Sequence, residues 1–417
     1  MRDDLISPRN RTWLRNSELN PVVDAYINYL SHYGYSEQSI RTYSHSVAHF
    51  AYWLTKKKAP LGSIDEATIS QFLHQHLPVC DCSRRCRRSF FSVRAALGHL
   101  LKVLRVEGKI SPAAPAFAGP LGEEIARYEA YLKEVRGLAK STRISRMRYV
   151  RAFLLHQFGR QAIAMERVEP SNITRFITLS SEGFKPASAQ VIAGSVRSYL
   201  RFRAFVGDRT EPLIAAAPSV AQWRLATVPK ALSPAEVERV LNAFDRTTAI
   251  GQRDYAMVRC LTDLGLRASE VAHLQIDDLN WRAGTLRIKG AKGLRIQLLP
   301  LPIQTGEAIV DYLRHGRPAT RRRTLFVRHH GPVDYPVGTG IVSGAIRRAC
   351  VRCNLNSGIG THVLRHTAAC RMLQAGATIK EIADVLRHRR LDTTMIYAKV
   401  DLVRLSRVAA PWPGQSS

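Results

Sequence analysis

The chain of 417 residues is long enough for about three domains of ordinary size, each with its own core, so a small disulfide-stapled module is excluded. Hydrophobic residues make up 45% of the chain and charged residues 23%, as in folded domains, which excludes disorder as the main state. The 62 Lys and Arg residues outnumber the 33 Asp and Glu residues, and the net charge of +29 indicates a polyanionic partner such as a nucleic acid.

An anionic membrane surface is the alternative polyanion. The N-terminal segment, MRDDLISPRNR, has two Asp residues and no apolar signal core. The least polar stretch, from Pro212 to Trp223, is short and contains two Pro residues. We therefore expect a cytosolic protein that has no membrane partner and is associated with DNA.

The N-terminal half contains two helical segments that resemble each other at an offset of 102 to 104 residues. The matching residues include Tyr29-Leu30, Val47 and Phe50 in the first segment and Tyr131-Leu132, Val150 and Phe153 in the second. Apolar residues three and four positions apart predict amphipathic helices. A duplicated helical unit explains the match, with chance similarity between amphipathic helices as the alternative. We place the two units at residues 1–110 and 121–207, joined by a Pro-containing linker at 111–120.

A run rich in Cys and His lies within the first unit. It reads His74-Gln-His76-Leu-Pro-Val-Cys80-Asp-Cys82-Ser-Arg-Arg-Cys86. Thiolates bind structural zinc, so Cys80, Cys82 and Cys86 are candidate zinc ligands. The Cys-x-Cys spacing is tighter than usual for zinc, and a basic loop with incidental thiols is the alternative. The seven Cys residues are an odd number, which predicts reduced thiols and no disulfide framework.

A second Pro-bearing linker, residues 208–232, precedes a C-terminal domain at 233–417. The domain begins with Ser233-Pro-Ala-Glu236, a capping-box pattern with Pro at the first helical position. Helical periodicity ends at Gly265, and alternating residues on either side of 290–293 predict a β-hairpin. Further helices are expected at 303–315, 338–353, 362–375, 378–387 and 392–407. The predicted fold class is mainly α, with tandem helical units before a mostly helical domain that contains a small antiparallel sheet.

Three motifs occur in order in this C-terminal domain. They are Leu264-Gly-Leu-Arg267-Ala-Ser-Glu270, Thr361-His362-Val-Leu-Arg365-His366 and Leu386-Arg-His388-Arg-Arg-Leu-Asp-Thr-Thr-Met-Ile-Tyr397. Their order and spacing resemble the signature boxes of the tyrosine recombinase (phage integrase) family over residues 233–407. The resemblance implies a site-specific DNA recombinase with a catalytic set of six residues: Arg267, Lys292, His362, Arg365, His388 and Tyr397.

Elementary chemistry assigns compatible roles to these residues. Breaking a phosphodiester without a metal requires a nucleophile, cations that hold the phosphate oxygens and an acid for the leaving oxygen. Arg267 and Arg365 suit the phosphate clamp because a guanidinium stays charged and offers paired donors. Tyr397 supplies the nucleophile. His362 precedes Arg365 by three residues and shares its helical face.

Two further residues are expected to support the site, and one member of the catalytic set has an alternative. Glu270, three residues after Arg267, is predicted to orient that guanidinium, and Thr361 is predicted to cap the helix that carries His362. Recombinases of this family carry a general-acid Lys near the hairpin turn, which favours Lys292. Lys289, at the strand end, is the alternative.

The resemblance also implies a mechanism and an assembly. DNA would be cut through a 3′-phosphotyrosine intermediate by a homotetramer on paired double-stranded recombination sites, with no cofactor required for catalysis. The helical units would be the family's core-binding domain, present twice, as in an integrase or transposase of a mobile element, with other recombinases of that element as further partners. A type IB topoisomerase and a DNA-binding architectural protein are the alternatives.

Overall fold

A computed structural model describes residues 6–82, 89–112, 119–159, 161–219, 229–289, 296–355, 358–388 and 391–400. This part of the chain is mainly helical with one small antiparallel sheet, which confirms the predicted fold class. The residues group into two compact units. The first is drawn from Met1–Tyr52, Arg85–Ala96 and Leu225–Ser417, and the second from Trp53–Arg84 and Leu97–Arg224. The domain boundaries expected from the sequence remain a prediction.

The N-terminal region is helical, as the apolar spacing predicts. They are α1 (Pro8–Arg15), α2 (Val23–His32), α3 (Glu37–Lys57), α4 (Glu66–Gln71) and α5 (Phe90–Val106). The Asp65 carboxylate caps α4 by accepting a hydrogen bond from the Thr68 N–H at 2.7 Å. A π-helical turn, Phe72–His76, and a 3-10 turn, Leu77–Val79, continue α4 and lead into the cysteine-rich run.

A second set of helices follows with a similar order. They are α6 (Pro120–Ala130), α7 (Lys140–Phe158), α8 (Pro170–Ser181), α9 (Pro186–Phe205) and α10 (Glu211–Ala216). Their apolar faces bury one core, and Glu124 lies at its edge with only 4% of its surface exposed. The carboxylate accepts hydrogen bonds from Tyr199 Oη at 2.7 Å and Arg203 Nη1 at 2.8 Å, so its charge is compensated.

The C-terminal region carries the sheet. Its elements are α11 (Pro234–Asn242), α12 (Ala249–Leu264), α13 (Ala268–His273), β1 (Leu279–Asn280), β2 (Thr285–Lys289), β3 (Ile296–Pro300), α14 (Ile303–Asp311), α15 (Thr339–Arg352), α16 (Thr361–Gln374) and α17 (Ile379–Val385). A π-helical turn, Tyr312–Gly316, extends α14, and 3-10 turns at Leu391–Thr393 and Met395–Val400 follow α17. The sheet order is β1-β2-β3, with Ile288 paired to Gln297.

Two local expectations in this region have different outcomes. Ser233 and Glu236 form the predicted capping box at the start of α11, with the Ser233 N–H donating to Glu236 Oε2 at 2.8 Å. The predicted cap at Thr361 is wrong. Gly360 occupies the capping position in an extended conformation, and Thr361 is already the first helical residue, so its hydroxyl is one position too late to cap.

Helix α12 forms the centre of this region. It is buried along most of its length and packs against α14, α15 and α16. It ends at Gly265, whose φ of +60° is the left-handed conformation that favours glycine. After Gly265 the chain turns directly into α13. The first motif therefore lies at the end of α12, which packs against α16, the helix that carries the second motif.

The turn between α2 and α3 packs against a loop of the C-terminal region within the same compact unit. The Val333 N–H donates a hydrogen bond to the Tyr33 carbonyl at 3.0 Å. A Cβ atom at Gly331 would lie 2.6 Å from Cγ of Tyr35, so only glycine lets the loop backbone approach that ring. The N-terminal helices are therefore fitted to the C-terminal region at this point.

No helix in the described part of the chain combines the length and apolar character that a bilayer span requires.

Candidate active site

Arg365 lies on α16 with only 5% of its surface exposed. Its guanidinium donates to two backbone carbonyls, those of Gly265 and Leu386. Burial, together with the positive charges of Arg267 and Arg387, lowers the pKa of Arg365 to about 9. The group still carries its charge at neutral pH, and the two carbonyls take two of the five N–H donors that a guanidinium has.

Arg267 occupies the first position before α13 and is 38% exposed. Its Nη1 donates to Glu270 Oε1 at 2.8 Å, and its Nη2 donates to the Arg387 carbonyl at 3.1 Å. The predicted pairing of Glu270 with Arg267 is therefore present in the structure. A guanidinium held from two directions is oriented before any ligand arrives.

Glu270 has a second partner that the sequence did not indicate. Arg387 Nη2 donates to Glu270 Oε2 at 2.8 Å, and Arg387 itself has a positive φ of 57°. Burial would raise the pKa of the Glu270 carboxyl, but hydrogen bonding and charge from Arg387, with Arg267 in addition, outweigh it and lower the pKa. Glu270 is therefore an ionised anchor between two guanidiniums.

His388 comes directly after Leu386 and Arg387 in the chain. Arg365 donates to the Leu386 carbonyl and Arg267 donates to the Arg387 carbonyl. The two clamp arginines therefore hold the backbone that precedes His388. His388 Nδ1 lies 2.7 Å from Thr394 Oγ1. Burial, followed by the charges of Arg365 and Arg267, lowers the pKa of His388 to about 4. The imidazole is therefore neutral at neutral pH in the DNA-free protein.

Tyr397 lies in the 3-10 turn after α17, with 1% of its surface exposed. Its hydroxyl is 2.8 Å from His366 Nδ1. Burial raises the pKa of Tyr397 to about 12, although the charge of Arg365 acts in the opposite direction. The phenol is therefore protonated in this state, and removing its proton is part of any attack that it makes.

His366 is a residue of this arrangement that the sequence analysis did not single out. It belongs to the second motif, but its adjacency to Arg365 was the only signal. Burial, followed by the charges of His362 and Arg365, lowers the pKa of the His366 imidazole. A neutral imidazole can accept the hydrogen bond of a phenol, so His366 is placed to hold the Tyr397 hydroxyl.

Three of the predicted residues remain, namely His362 and the two candidate general-acid lysines. His362 lies exposed on α16 and acts electrostatically on His366. Lys292 lies outside the described residues. Lys289, the alternative, ends β2 with its Nζ 3.3 Å from Asp278 Oδ1.

The candidate zinc ligands belong to a different part of the chain. Cys80 and Cys82 lie in the second compact unit, next to His76, and Cys86 lies outside the described residues. None of the six cysteines that the structure describes is in a disulfide.

The sequence places this site in a known family. Residues 230–403 match the model described as Phage integrase family. The protein named integrase/recombinase y4rA of Sinorhizobium fredii (strain NBRC 101917 / NGR234) is 37% identical over 386 residues, which cover 92% of this chain and 92% of that protein. This chain belongs to the tyrosine recombinase family. The tyrosine recombinase XerD of Listeria innocua is 30% identical to the recombinase over 251 residues, or 58% of this chain and 82% of XerD.

Solved structures resemble the recombinase in fold. A crystal structure of the XerH site-specific recombinase bound to palindromic difH substrate has a TM-score of 0.54 at 16% identity and covers 85% of this chain and 99% of that one. A lambda integrase tetramer bound to a Holliday junction has a TM-score of 0.52 at 18% identity, covering 76% of this chain and 88% of that one. The family confirms the expected activity of a site-specific tyrosine recombinase, and no observation favours the type IB topoisomerase alternative.

Proposed function

We propose that the recombinase cuts and rejoins double-stranded DNA with Tyr397 as nucleophile and Arg267 and Arg365 as the phosphate clamp. One observation carries this proposal. Both arginines hold the backbone immediately before His388, and the Tyr397 hydroxyl is bound by the residue that follows Arg365. Two guanidiniums, the neutral imidazole of His388 and the phenol of Tyr397 therefore lie around one site for a phosphate.

The proposed chemical steps use these residues together with Lys292, which lies outside the described residues. The Tyr397 oxygen attacks the scissile phosphorus, a Tyr–O–P bond forms, and the bond from phosphorus to the 5′ oxygen breaks. His366 holds the phenol and accepts its proton, while Lys292 gives a proton to the leaving 5′ oxygen. Arg267 and Arg365 stabilise the charge on the phosphate oxygens, with His362 and His388 as further donors. Rejoining reverses these steps with the 5′-hydroxyl of a partner strand.

The buried position of Tyr397 adds a conformational step to the proposal. A side chain with 1% exposure cannot reach a phosphate outside the protein. We propose that the segment Met395–Val400 shifts when DNA binds, so that the Tyr397 oxygen becomes accessible to the phosphorus while its proton stays within reach of His366 Nδ1. Cleavage then waits for a correctly bound site, as in other enzymes whose closure assembles the catalytic groups.

The substrate and assembly are proposed on the same basis. The net charge of +29 suits phosphate contacts along a duplex, and the XerH and lambda integrase structures contain DNA. We propose a homotetramer on paired recombination sites, in which residues 121–207 form the core-binding domain and residues 1–110 extend the footprint. We also propose that the recombinase is an integrase or transposase of a mobile element and acts in the cytoplasm, with other recombinases of that element as partners.

A suicide substrate tests the assignment of the nucleophile. Cleavage positions are first mapped on the DNA that flanks the gene, and a duplex is then nicked beside the scissile phosphate so that the released 5′-hydroxyl fragment diffuses away. Wild-type recombinase should accumulate a covalent adduct on a denaturing gel. Tyr397→Phe should bind the duplex with unchanged affinity and form no adduct, whereas Tyr335→Phe should match the wild type. An adduct formed by Tyr397→Phe would refute the assignment.

A further inference from the structure

Three soft donor atoms converge after α4, in the second compact unit. The ligand atoms of His76, Cys80 and Cys82 lie within 4.8 Å of one another. His76 Nε2 and Cys82 Sγ are 3.4 Å apart. In a tetrahedral zinc site, bond lengths of about 2.3 Å to sulfur and about 2.0 Å to nitrogen place these two atoms roughly 3.5 Å apart. The protein already holds this pair at the separation that a shared zinc ion requires.

The surrounding residues fix the imidazole of His76. The π-helical turn Phe72–His76 brings the Phe72 ring to 5.2 Å from the imidazole, nearly parallel to it, and Trp53 lies 6.0 Å away. His74, two residues earlier, is exposed and its Nδ1 lies 3.0 Å from the Ser70 carbonyl. The turn therefore selects His76 for the cluster and directs His74 elsewhere.

Cys80 shows a second feature of a metal-bound thiolate. Its side chain is buried with 5% exposure, and its sulfur accepts a hydrogen bond from the Cys82 N–H at 3.4 Å. Outer hydrogen bonds of this kind orient the ligands of a metal site. The same hydrogen bond closes the short Cys-x-Cys turn and directs both sulfurs toward His76.

We propose that His76, Cys80 and Cys82 bind a structural Zn²⁺ ion. Sulfur and nitrogen donors in a compact, partly buried set favour zinc over the hard cations, which prefer oxygen. A closed structural zinc site takes four ligands, and these residues supply three of them. The residues after Cys82 include Arg84, Arg85, Arg87 and Arg88, so the ion would fix the start of a strongly basic segment.

Metal analysis of the full chain tests the proposal. Recombinase purified from zinc-supplemented medium should contain one zinc per chain, and Cys82→Ser and His76→Gln should lose it. Cys353→Ser and His74→Gln are matched controls that should retain it, because each removes the same kind of donor outside the cluster. Circular dichroism at low temperature shows whether each variant keeps its helices.

A second measurement applies to wild-type protein and does not depend on the folding of any variant. Titration with an organomercurial should release zinc in step with thiol modification, and Co²⁺ exchanged into the site should show thiolate-to-metal charge-transfer absorption. Folded wild-type protein without zinc would overturn the proposal. Retention of zinc in both Cys82→Ser and His76→Gln would overturn it as well.

Discussion

The hydrogen bond between His366 and Tyr397 determines the starting orientation of the proposed nucleophile. His366→Ala should slow formation of the covalent adduct by roughly a hundredfold, because the phenol loses its partner and its proton acceptor. His366→Asn should recover part of the rate, since its side-chain oxygen can take the place of Nδ1. Single-turnover cleavage on the suicide duplex measures both effects.

The pH profile distinguishes this role from a general loss of structure. The His366 pKa is below its ordinary value, so wild-type cleavage should already be independent of this residue's titration at neutral pH. His366→Ala should instead become faster as the pH rises toward the pKa of Tyr397. Equal, pH-independent rates in the wild type and His366→Ala would contradict the role of His366.

Some residues of the candidate site could be predicted from the sequence and others could not, for a physical reason. The four residues Arg267, Arg365, His388 and Tyr397 could be selected because their chemistry and spacing coincide in one chain. Arg387 could not be selected, because its role depends on contact with Glu270, which lies 117 residues earlier. Arginines are common throughout this chain, so the sequence alone does not mark Arg387 as the partner of Glu270.

Gly265 links the end of α12 to the phosphate clamp. Its carbonyl accepts from Arg365, and an added Cβ would lie 2.6 Å from Cδ2 of fully buried Leu386. Gly265→Ala should therefore lose about 1–2 kcal/mol of unfolding free energy to backbone strain and a further ~1–3 kcal/mol to overpacking. Urea denaturation measures the total.

Gly284 provides the matched control, because it has the same φ of +60° and no atom within 4 Å of an added Cβ. Gly284→Ala should show only the strain and should cleave normally. Gly265→Ala should cleave more slowly as well, since a displaced Leu386 moves a carbonyl that Arg365 holds. If the two variants were equally stable and equally active, the contact with Leu386 would have no importance.

At the level of elements, the helices were predictable because their apolar residues repeat every three to four positions. Two elements were not. Strand β1 has two residues, too few for any alternation to be recognised. The segment expected to be helical at 392–407 is described through residue 400 as short 3-10 turns, because the side chains of Thr394 and Tyr397 bond to histidines of other segments.

The whole molecule should lose stability in mild acid. Burial, followed by the charge of Arg253, lowers the pKa of His329 to about 4 from an ordinary 6.5, and His388 is lowered to a similar value. Between these pH values the unfolded chain binds protons that the folded chain does not, so the unfolding free energy must fall as the pH falls from about 6.5 to 4.

Urea denaturation at pH 7 and pH 5.5 measures this loss. His329→Gln should reduce the difference between the two pH values, because one of the titrating groups is gone. His315→Gln, at a side chain that is 65% exposed, is the comparison variant that controls for the substitution itself. An identical pH dependence in the wild type and His329→Gln would contradict the assignment.

The fit of the α2–α3 turn against the C-terminal region was beyond prediction from the sequence. It joins residues about 300 positions apart through backbone atoms and a glycine, and neither carries a recognisable pattern. The sequence repeat predicted two similar helical units, but a repeat shows only the features that both units share. A contact that one helical unit makes alone cannot be recognised from the repeat.

The carboxylate of Glu270 also sets the charge balance that the site presents to DNA. Arg267, Arg365 and Arg387 carry three positive charges, and Glu270 carries one negative charge, which leaves an excess of two. A phosphodiester carries one negative charge before attack and two when its phosphorus is pentacoordinate. The excess of two positive charges therefore complements the transition state better than the substrate. The interaction lowers the activation barrier more than it strengthens the binding of intact DNA.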